Sequence, residues 1–404
     1  MQNLIYLILF SLPLYLFRIE VLGVPTTILE IVIYFSFAVF LLVSIYDRSI
    51  KKRVFSFKNN PFFLPIVFFL IAGILSVIFS SDRLLSLGIF KAYIVDPILF
   101  FFLFASIIND KESVKKSLMI LILSAMVLAI VGLTQYLFLP HYLQDGRIRS
   151  FFSSPNYLSL YITPIFFFGF ALLDGYKKIN IKKLFFILCQ LIILVVIFLT
   201  FSRGAWLGLL LGLILLLGYS LLNKFKTKKF KQFLPLIILA FSFIAFIFIT
   251  SGLYKFNLVS YDRIYSSDNI RKEIWATSAD IACQKWFFGV GLGGFQKYFG
   301  SYTADRINYP EYITPHAITP HNMFLNIWLQ LGVTGLLAIL VALFLFFLRS
   351  LRGAKKEFLI NIVIIASMIA IIGQGMVDSA IWKNDLMIVF WMLVASSYII
   401  NKGE

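Results

Sequence analysis

Long apolar runs, separated by short polar segments, form most of the chain. Twelve of them approach the length of a membrane-spanning helix, which needs about 20 apolar residues to cross a bilayer. They cover residues 3–17, 21–46, 61–80, 89–108, 118–139, 157–173, 184–202, 204–222, 233–252, 323–348, 358–377 and 386–400. The pattern therefore predicts an all-α integral membrane protein with about 12 transmembrane helices, of which the first and the last are short.

The polar segments between these runs alternate between a lysine-rich set and an arginine-rich set. The lysine-rich set consists of Asp47–Lys58, Asn109–Lys116, Asp174–Lys183, Asn223–Lys231, Arg349–Lys356 and Lys402. It contains 22 of the 36 basic residues, and because short basic loops are retained in the cytoplasm, we expect this set and both termini to be cytoplasmic. The opposite set holds eight arginines and six lysines. Since arginine suits bidentate phosphate binding, this set predicts an anionic substrate outside the cytoplasm.

Two external segments are longer than a simple turn. Pro140–Asn156 has about 17 residues, and Leu253–Asn322 has about 70, too many for a passive connection. The chain then divides into nine transmembrane helices at 1–252, a large external loop at 253–322 and three further helices at 323–404. Within the loop, Asn269–Phe288 shows helical periodicity, which predicts an amphipathic helix between the ninth and tenth spans. It lies on the outer membrane surface or packs on the helix bundle, and both arrangements are compatible with the pattern.

Composition agrees with a membrane protein and excludes an ordinary soluble domain. Hydrophobic residues make up 60% of the chain, and the mean hydropathy is +0.92. The net charge of +17 is explained mainly by the cytoplasmic clusters, which meet anionic lipid headgroups, so we expect no nucleic-acid partner. The first apolar run lacks a basic n-region and a small-residue cleavage site, and it is interpreted as a retained helix. Cys189 lies in a span and Cys283 in a polar loop, which argues against a disulfide.

Candidate chemistry gathers where three spans begin on the external side. The three segments read GRIRSFFSSPN at 146–156, TFSRGAW at 200–206 and TPHN at 319–322. An arginine at the membrane edge, such as Arg203, is costly and usually functional, although a topological anchor is the alternative. Arg147 and Arg149 precede Pro155, which suits a first helical turn, and Asn156 adds a polar group at the membrane edge.

Histidine is rare in this chain, which contains three. His321 stands at a predicted helix N-terminus, where the helix dipole disfavours the protonated imidazolium. A neutral imidazole can act as a general base, although a structural role is the alternative. His316 is a weaker candidate, and Asn322 follows His321 directly. If the three helix starts converge, their N–H groups and arginines would together form a diphosphate-binding site.

Other motifs give weaker signals. GVGLGG at 289–294 matches a dinucleotide fingerprint only formally, because no strand precedes it, and a flexible turn is expected instead. The external acidic residues show no metal-ligand spacing, so no metal and no cofactor are predicted. Glu30 and Asp96 are carboxylates inside spans. They are interpreted either as structural partners, Asp96 with Lys91 or with another span, or as parts of a proton relay.

These motifs resemble the O-antigen ligase and polymerase superfamily of bacterial envelope glycosyltransferases. The matching pieces are RIRSFFSSPNYLS, TFSRGAWLGLLLG, NIRKEIWATSADIACQKWFFGVGLGGF, PHNMFLNIWLQLGVTGLL and GMVDSAIWKNDLMIVFWML. The likeness covers roughly residues 60–400, with order and spacing intact. It implies a multi-pass plasma-membrane enzyme whose external loop at 253–322 is catalytic. The resemblance gives His321 as the catalytic histidine and Arg203 and Arg271 as essential arginines, and either Arg147 or Arg149 matches the arginine before Pro-Asn.

The implied reaction is metal-independent transfer of a glycan from a polyprenyl-diphosphate donor to an acceptor hydroxyl on the outer side of the membrane. The acceptor is a glycan, a lipid or a protein, so a ligase, a repeat-unit polymerase and a protein O-oligosaccharyltransferase are all compatible. A transporter of lipid-linked sugars is the alternative of another class. Transporters usually carry polar groups at mid-membrane and often internal repeats, whereas here the polar residues lie mainly at the outer edge and no repeat is visible. A second histidine in PHAITPHN departs from many members and raises the question of whether His321 acts alone.

Overall fold

The protein is described by a computed structural model that is almost entirely α-helical. The structure describes residues 1–173 apart from 22, 48–49, 52 and 55–56, and then residues 180–222, 267–304 and 319–402. The predicted span at 233–252 and the candidate His316 lie outside the described residues. On this part of the chain the fold is nearly all-α, which confirms the predicted class apart from one short β-hairpin.

Thirteen α-helices and one β-hairpin are the main elements of the described part of the chain. The helices are α1 (Gln2–Phe10), α2 (Ile28–Tyr46), α3 (Phe63–Ile78), α4 (Arg83–Ile107), α5 (Lys111–Phe138), α6 (Pro155–Leu173), α7 (Ile181–Leu199), α8 (Arg203–Leu222), α9 (Ser267–Gln284), α10 (Phe295–Ala304), α11 (Met323–Gly353), α12 (Phe358–Gly375) and α13 (Asn384–Ile400). The hairpin pairs β1 (Arg18–Val21) with β2 (Val24–Thr27) in antiparallel register, Arg18 opposite Thr27.

Seven of the described helices are long and apolar enough to cross a membrane: α2, α4, α5, α6, α7, α11 and α12. Three shorter apolar helices, α3, α8 and α13, accompany them. The chain is thus a multi-pass membrane protein by the length and composition of its helices, and the count of twelve with its in–out topology stays a prediction.

The N-terminal prediction needs two corrections. The first expected span, 3–17, is a nine-residue helix that ends at Phe10 and is followed by a 3-10 turn at Leu12–Leu16. Pro13 explains the break, because it has no N–H to donate to the preceding helical turn. The second span was expected from residue 21, but the hairpin occupies residues 18–27 and α2 begins only at Ile28, where Thr27 caps it.

The two intramembrane carboxylates are both paired with neighbouring side chains. Lys91 Nζ lies 2.8 Å from Glu30 Oε2. Tyr34, on another span, donates to Asp96 Oδ1 at 2.6 Å. Of the two partners suggested for Asp96, the structure shows the residue on another span, Tyr34. The other suggested partner, Lys91, pairs with Glu30 instead. The structural-partner interpretation fits both contacts.

Close packing of α8 against α12 brings the start of α8 next to the end of α12. A Cβ atom added to Gly208 would lie 2.5 Å from the backbone oxygen of Ala370, and one added to Gly212 would lie 2.9 Å from that of Ala366. Small residues at four-residue spacing allow membrane helices to approach in this way. As a result, the start of α8 at Arg203 lies next to the end of α12.

The predicted amphipathic helix is present as α9, somewhat shorter than expected. It buries Ile274, Ser278 and Ile281 on one face and packs against α11. The packing alternative is therefore observed, and contact with the membrane surface stays a prediction. The glycine-rich turn that follows α9 is held tightly, since Val290 N–H donates to Leu329 O at 2.6 Å. Its glycines allow close backbone approach, and α10, which was not predicted, follows the turn.

Candidate active site

A cavity of about 250 Å³ opens where the starts of α6, α8 and α9 meet the segment after α12. Its charged lining side chains are Arg147, Arg203, Arg271 and Asp378. Three guanidinium groups thus share one small cavity with a single carboxylate. Two of these arginines, Arg147 and Arg271, are half-buried and Arg203 is exposed, and such an excess of positive charge around one cavity favours binding of an anion.

Arg147 is held in a fixed orientation by two short hydrogen bonds. Its Nε donates to the backbone oxygen of Thr200 at 2.7 Å, and its Nη2 donates to Asn156 Oδ1 at 2.7 Å. These bonds connect the loop before α6 to the end of α7 and fix the plane of the guanidinium. A planar fork with a set orientation is what bidentate phosphate recognition requires.

The pKa of Arg147 is affected by the other positive charges in the cavity. Burial lowers the pKa of the Arg147 guanidinium, and the nearby positive charges of Arg271 and Arg203 lower it further, while Asp145 acts in the opposite direction. Arginine stays charged despite such shifts. The three cations therefore repel one another, and an anion placed between them would relieve this repulsion.

Three turns that lead into the helices around the site contain a non-glycine residue with positive φ. These residues are Ser150 (φ 54°) before α6, Phe201 (φ 46°) before α8 and His321 (φ 47°) before α11. A non-glycine residue in this region costs about 1–3 kcal/mol and persists only where the surroundings enforce it. The same type of backbone strain at all three turns is typical of a functional site.

Gly204 explains how Arg203 comes so close to the segment after α12. A Cβ atom at position 204 would lie 2.9 Å from Val377 Cγ2, so a larger residue would push the two segments apart. Glycine has no Cβ and therefore permits such a close approach. The approach brings Arg203 and Asp378 to the lining of one cavity.

His321 stands at the margin of the cavity and is connected to it through Asp378. Its Nδ1 lies 3.5 Å from Asp378 Oδ1, longer than a normal hydrogen bond, and this nitrogen is buried without a hydrogen-bond partner. The side chain is 33% exposed, so part of the ring other than Nδ1 is accessible from outside. Catalytic hydrogen bonds are often long before substrate binds.

The backbone around His321 is fixed from two sides. Trp275 of α9 donates its indole N–H to the His321 backbone oxygen at 3.2 Å. Asn322 caps α11 by accepting from Phe324 N–H at 3.0 Å. The Asn322 side chain also donates to Met376 O at 3.1 Å, which joins this turn to the segment that carries Asp378.

The predicted site residues therefore fall into three groups. Arg147, Arg203, Arg271 and Asn156 line the cavity, and His321 and Asn322 lie at its margin. Arg149 is elsewhere: its Nε donates to Tyr142 O at 3.1 Å, and it lines a separate groove of about 450 Å³. Of the two arginines that the sequence left open, Arg147 is the one in the cavity.

The cavity also contains Asp378 and Gln374, which were not predicted as site residues. Asp378 was grouped with external acids that lack ligand spacing, although it lies in a segment that the resemblance included. Gln374 is 1% exposed, and its Oε1 is buried without a hydrogen-bond partner, so it offers an acceptor to a bound molecule. No group of three His, Cys, Asp or Glu residues that could hold a metal ion occurs within the described ranges.

Comparison with known proteins identifies one part of the chain. Residues 188–340 match the family model of the O-antigen ligase. This range contains Arg203, Arg271 and His321, whereas Arg147 and Asp378 lie outside it. No curated protein sequence matches the chain. The resemblance predicted from the motifs is thus confirmed for residues 188–340, which match the O-antigen ligase domain.

Proposed function

We propose that this protein transfers a glycan from a polyprenyl-diphosphate donor to an acceptor hydroxyl on the outer face of the plasma membrane. The family implies a membrane glycosyltransferase of the ligase or polymerase type. The main support for the proposal is the cavity that Arg147, Arg203 and Arg271 share. Their three positive charges outnumber the one negative charge of the carboxylate that lines the cavity. A diphosphate is the part of such a donor that supplies matching negative charge.

In this proposal the three arginines bind the donor diphosphate and stabilise it as the leaving group. As the bond between the anomeric carbon and the diphosphate oxygen breaks, its electron pair stays on that oxygen. Guanidinium groups stabilise this growing charge most strongly in the transition state, which is the condition for rate acceleration. Arg147 is already oriented by Thr200 and Asn156, so little reorganisation is needed.

His321 is proposed as the general base. With Nδ1–H directed at Asp378, the lone pair of Nε2 accepts the proton of the acceptor hydroxyl as its oxygen attacks the anomeric carbon. The carboxylate of Asp378 then stabilises the imidazolium that forms. The proton leaves to solvent from the exposed side of the ring. Asp378 is a positioning residue in this scheme, since it acts through His321.

A single displacement is favoured over a covalent glycosyl-enzyme. Among the described residues, Asp378 is the one carboxylate that lines the cavity, and it faces His321. A double displacement would need a carboxylate directed at the anomeric carbon. The reaction is therefore expected to invert that carbon. Ligase, repeat-unit polymerase and protein O-oligosaccharyltransferase differ only in the acceptor.

The deciding experiment incubates the purified full-length protein with a polyprenyl-diphosphate-linked glycan and one acceptor at a time. The acceptors are a lipid-anchored glycan, a second donor molecule and a peptide with serine and threonine, and mass spectrometry detects the new glycosidic bond. A product with any acceptor supports the proposal and names the subtype. Flipping of the donor across vesicles with no product from any acceptor would instead support a transporter.

Arg147 and Arg149 provide a matched pair for the same assay. They lie in one loop, two residues apart, and only Arg147 lines the cavity. Loss of a charge-assisted hydrogen bond typically costs about 1.5–3 kcal/mol, or roughly tenfold to a hundredfold. Arg147→Ala is expected to lose donor binding or turnover by this factor, and Arg149→Ala to stay near wild type. The reverse order would contradict the assignment of the cavity.

A further inference from the structure

We propose that a second cavity, at the C-terminal end of α9, binds the headgroup of an anionic phospholipid. This cavity of about 460 Å³ lies between the end of α3, the segment after α9 and the start of α10. It shares no lining residue with the arginine cavity. From Arg271 to Lys285 the chain rises about 20 Å along α9, so the two cavities are separate sites, and this proposal does not depend on the proposed function.

Exposed aromatic rings form one wall of this cavity. Trp286, Phe287, Phe288 and Phe79 are 55%, 42%, 37% and 55% exposed, and the Phe79 and Phe288 rings lie 4.2 Å apart. Phe79 directly follows the apolar helix α3. Large aromatic side chains at the end of an apolar membrane helix are typical of the interface between lipid chains and headgroups. The wall therefore favours an amphiphile over a ligand dissolved in water.

Two ammonium groups provide the charged part of the cavity lining. Lys285 and Lys297 are exposed and line it, and Lys285 Nζ lies 5.7 Å from the centre of the Tyr298 ring. Within the described part of the chain, no acidic side chain lines this cavity. Positive charge beside an aromatic wall at headgroup depth complements a phosphate that is attached to acyl chains. A free sugar or inorganic phosphate would leave the phenylalanine rings in water.

The cavity lies where α9 is joined to α11, so a molecule bound there would affect how the surrounding helices pack. The backbone oxygen of Trp286 accepts from Val333 N–H and from the Trp328 indole N–H, each at 2.9 Å. These bonds fasten the end of α9 to α11. A lipid that bridges α3, α9 and α10 at this point would stabilise their packing, so anionic lipid is expected to raise the thermal unfolding temperature.

The test uses the full-length protein in nanodiscs that contain brominated phosphatidylglycerol or brominated phosphatidylcholine. Bromine quenches nearby tryptophan, so we expect stronger quenching by the anionic lipid, and we expect Trp286→Phe to abolish this excess. The double variant K285Q/K297Q should lower retention of the anionic lipid about 25-fold, since each lysine near an anionic surface contributes about fivefold. Lys272→Gln, an exposed lysine of α9 outside the cavity, is the matched control and should change nothing.

Three results would overturn the proposal. Equal quenching by the anionic and neutral lipids in the wild type would show an ordinary lipid annulus. An effect of Lys272→Gln as large as that of the double variant would show nonspecific surface charge. Displacement of the brominated lipid by inorganic phosphate alone would show a site for small anions instead of a lipid.

Discussion

Replacing Asp378 by asparagine isolates the charge that the proposed mechanism places beside His321. The two side chains have the same shape, and the amide oxygen can still accept from Ser379 N–H, which donates to Asp378 Oδ1 at 2.8 Å. The fold around the segment should therefore survive. What disappears is the negative charge 3.5 Å from His321 Nδ1.

The size of the effect follows from this distance. Two unit charges at 3.5 Å interact by about 5 kcal/mol at an effective dielectric constant near 20. Since His321 is 33% exposed, solvent screening reduces this value, and about 2–3 kcal/mol is a reasonable estimate of what the transition state loses. A loss of that size lowers kcat by about 30-fold to 150-fold.

The assay measures kcat and donor affinity separately, because the mechanism predicts that Asp378→Asn lowers kcat without weakening donor binding. Asp378 also lines the arginine cavity, so removing its charge should leave donor binding unchanged or make it tighter. Asp145→Asn is the control, since Asp145 acts on Arg147 and has φ 52°, which asparagine tolerates well. An unchanged kcat in Asp378→Asn, or an equal loss of donor affinity, would refute the role given to this carboxylate.

Four further predictions concern the base, the arginines, the metal and the helix packing. His321→Ala should lose about 10²–10⁴-fold in turnover while donor binding survives, and His316→Ala should lose less; full activity in His321→Ala would leave the base unidentified. Arg203→Ala should weaken donor binding or turnover about 100-fold without preventing membrane insertion, and Arg203→Lys should recover only part of it, because lysine lacks the fork. Chelation with EDTA should not abolish activity, and rescue by magnesium after complete loss would contradict this. Gly208→Ala should destabilise by about 1–3 kcal/mol, measured by thermal unfolding, whereas Gly218→Ala, on the same helix with open space around it, should be neutral.

The sequence predicted apolar helices and the residues that begin them, because both depend on local patterns, but it left open whether the helix starts converge. Apolar runs of about 20 residues leave few alternatives in a membrane protein. Pro155 begins α6 and Asn322 caps α11, as residues of these types do at helix N-termini. The end of the first helix at Phe10 also has a local cause, the nearby Pro13. The predicted span at 3–17 was too long because it was based on the apolar run alone.

The choice between Arg147 and Arg149 could not be made from the sequence. In an extended segment the side chains of successive residues alternate, so two arginines separated by Ile148 point the same way only if the chain stays regular. Here Ile148 is fully buried and donates to Leu199 O at 3.2 Å, while Ser150 adopts a positive φ. These tertiary contacts direct Arg147 into the cavity and leave Arg149 outside.

Asp378 was missed for a related reason. It lies 57 residues after His321 in the chain, with two membrane helices between them. The contact depends on the antiparallel packing of α11 and α12 and on the hydrogen bond from Asn322 to Met376 O. Neither residue type nor spacing signals such a pair. A carboxylate next to a histidine across two spans becomes visible only when the helix ends are placed in space.

The structure also changes the expected source of anion binding. The sequence suggested that N–H groups at helix starts would help to hold the diphosphate. At α11, however, Asn322 Oδ1 accepts from both Phe324 N–H and Leu325 N–H, and at α6 Ser154 Oγ accepts from Asn156 N–H. These N–H groups are occupied by caps, so the guanidinium groups have to supply most of the positive charge. A site built on side chains in this way should respond more strongly to replacement of one arginine than a site built on backbone groups.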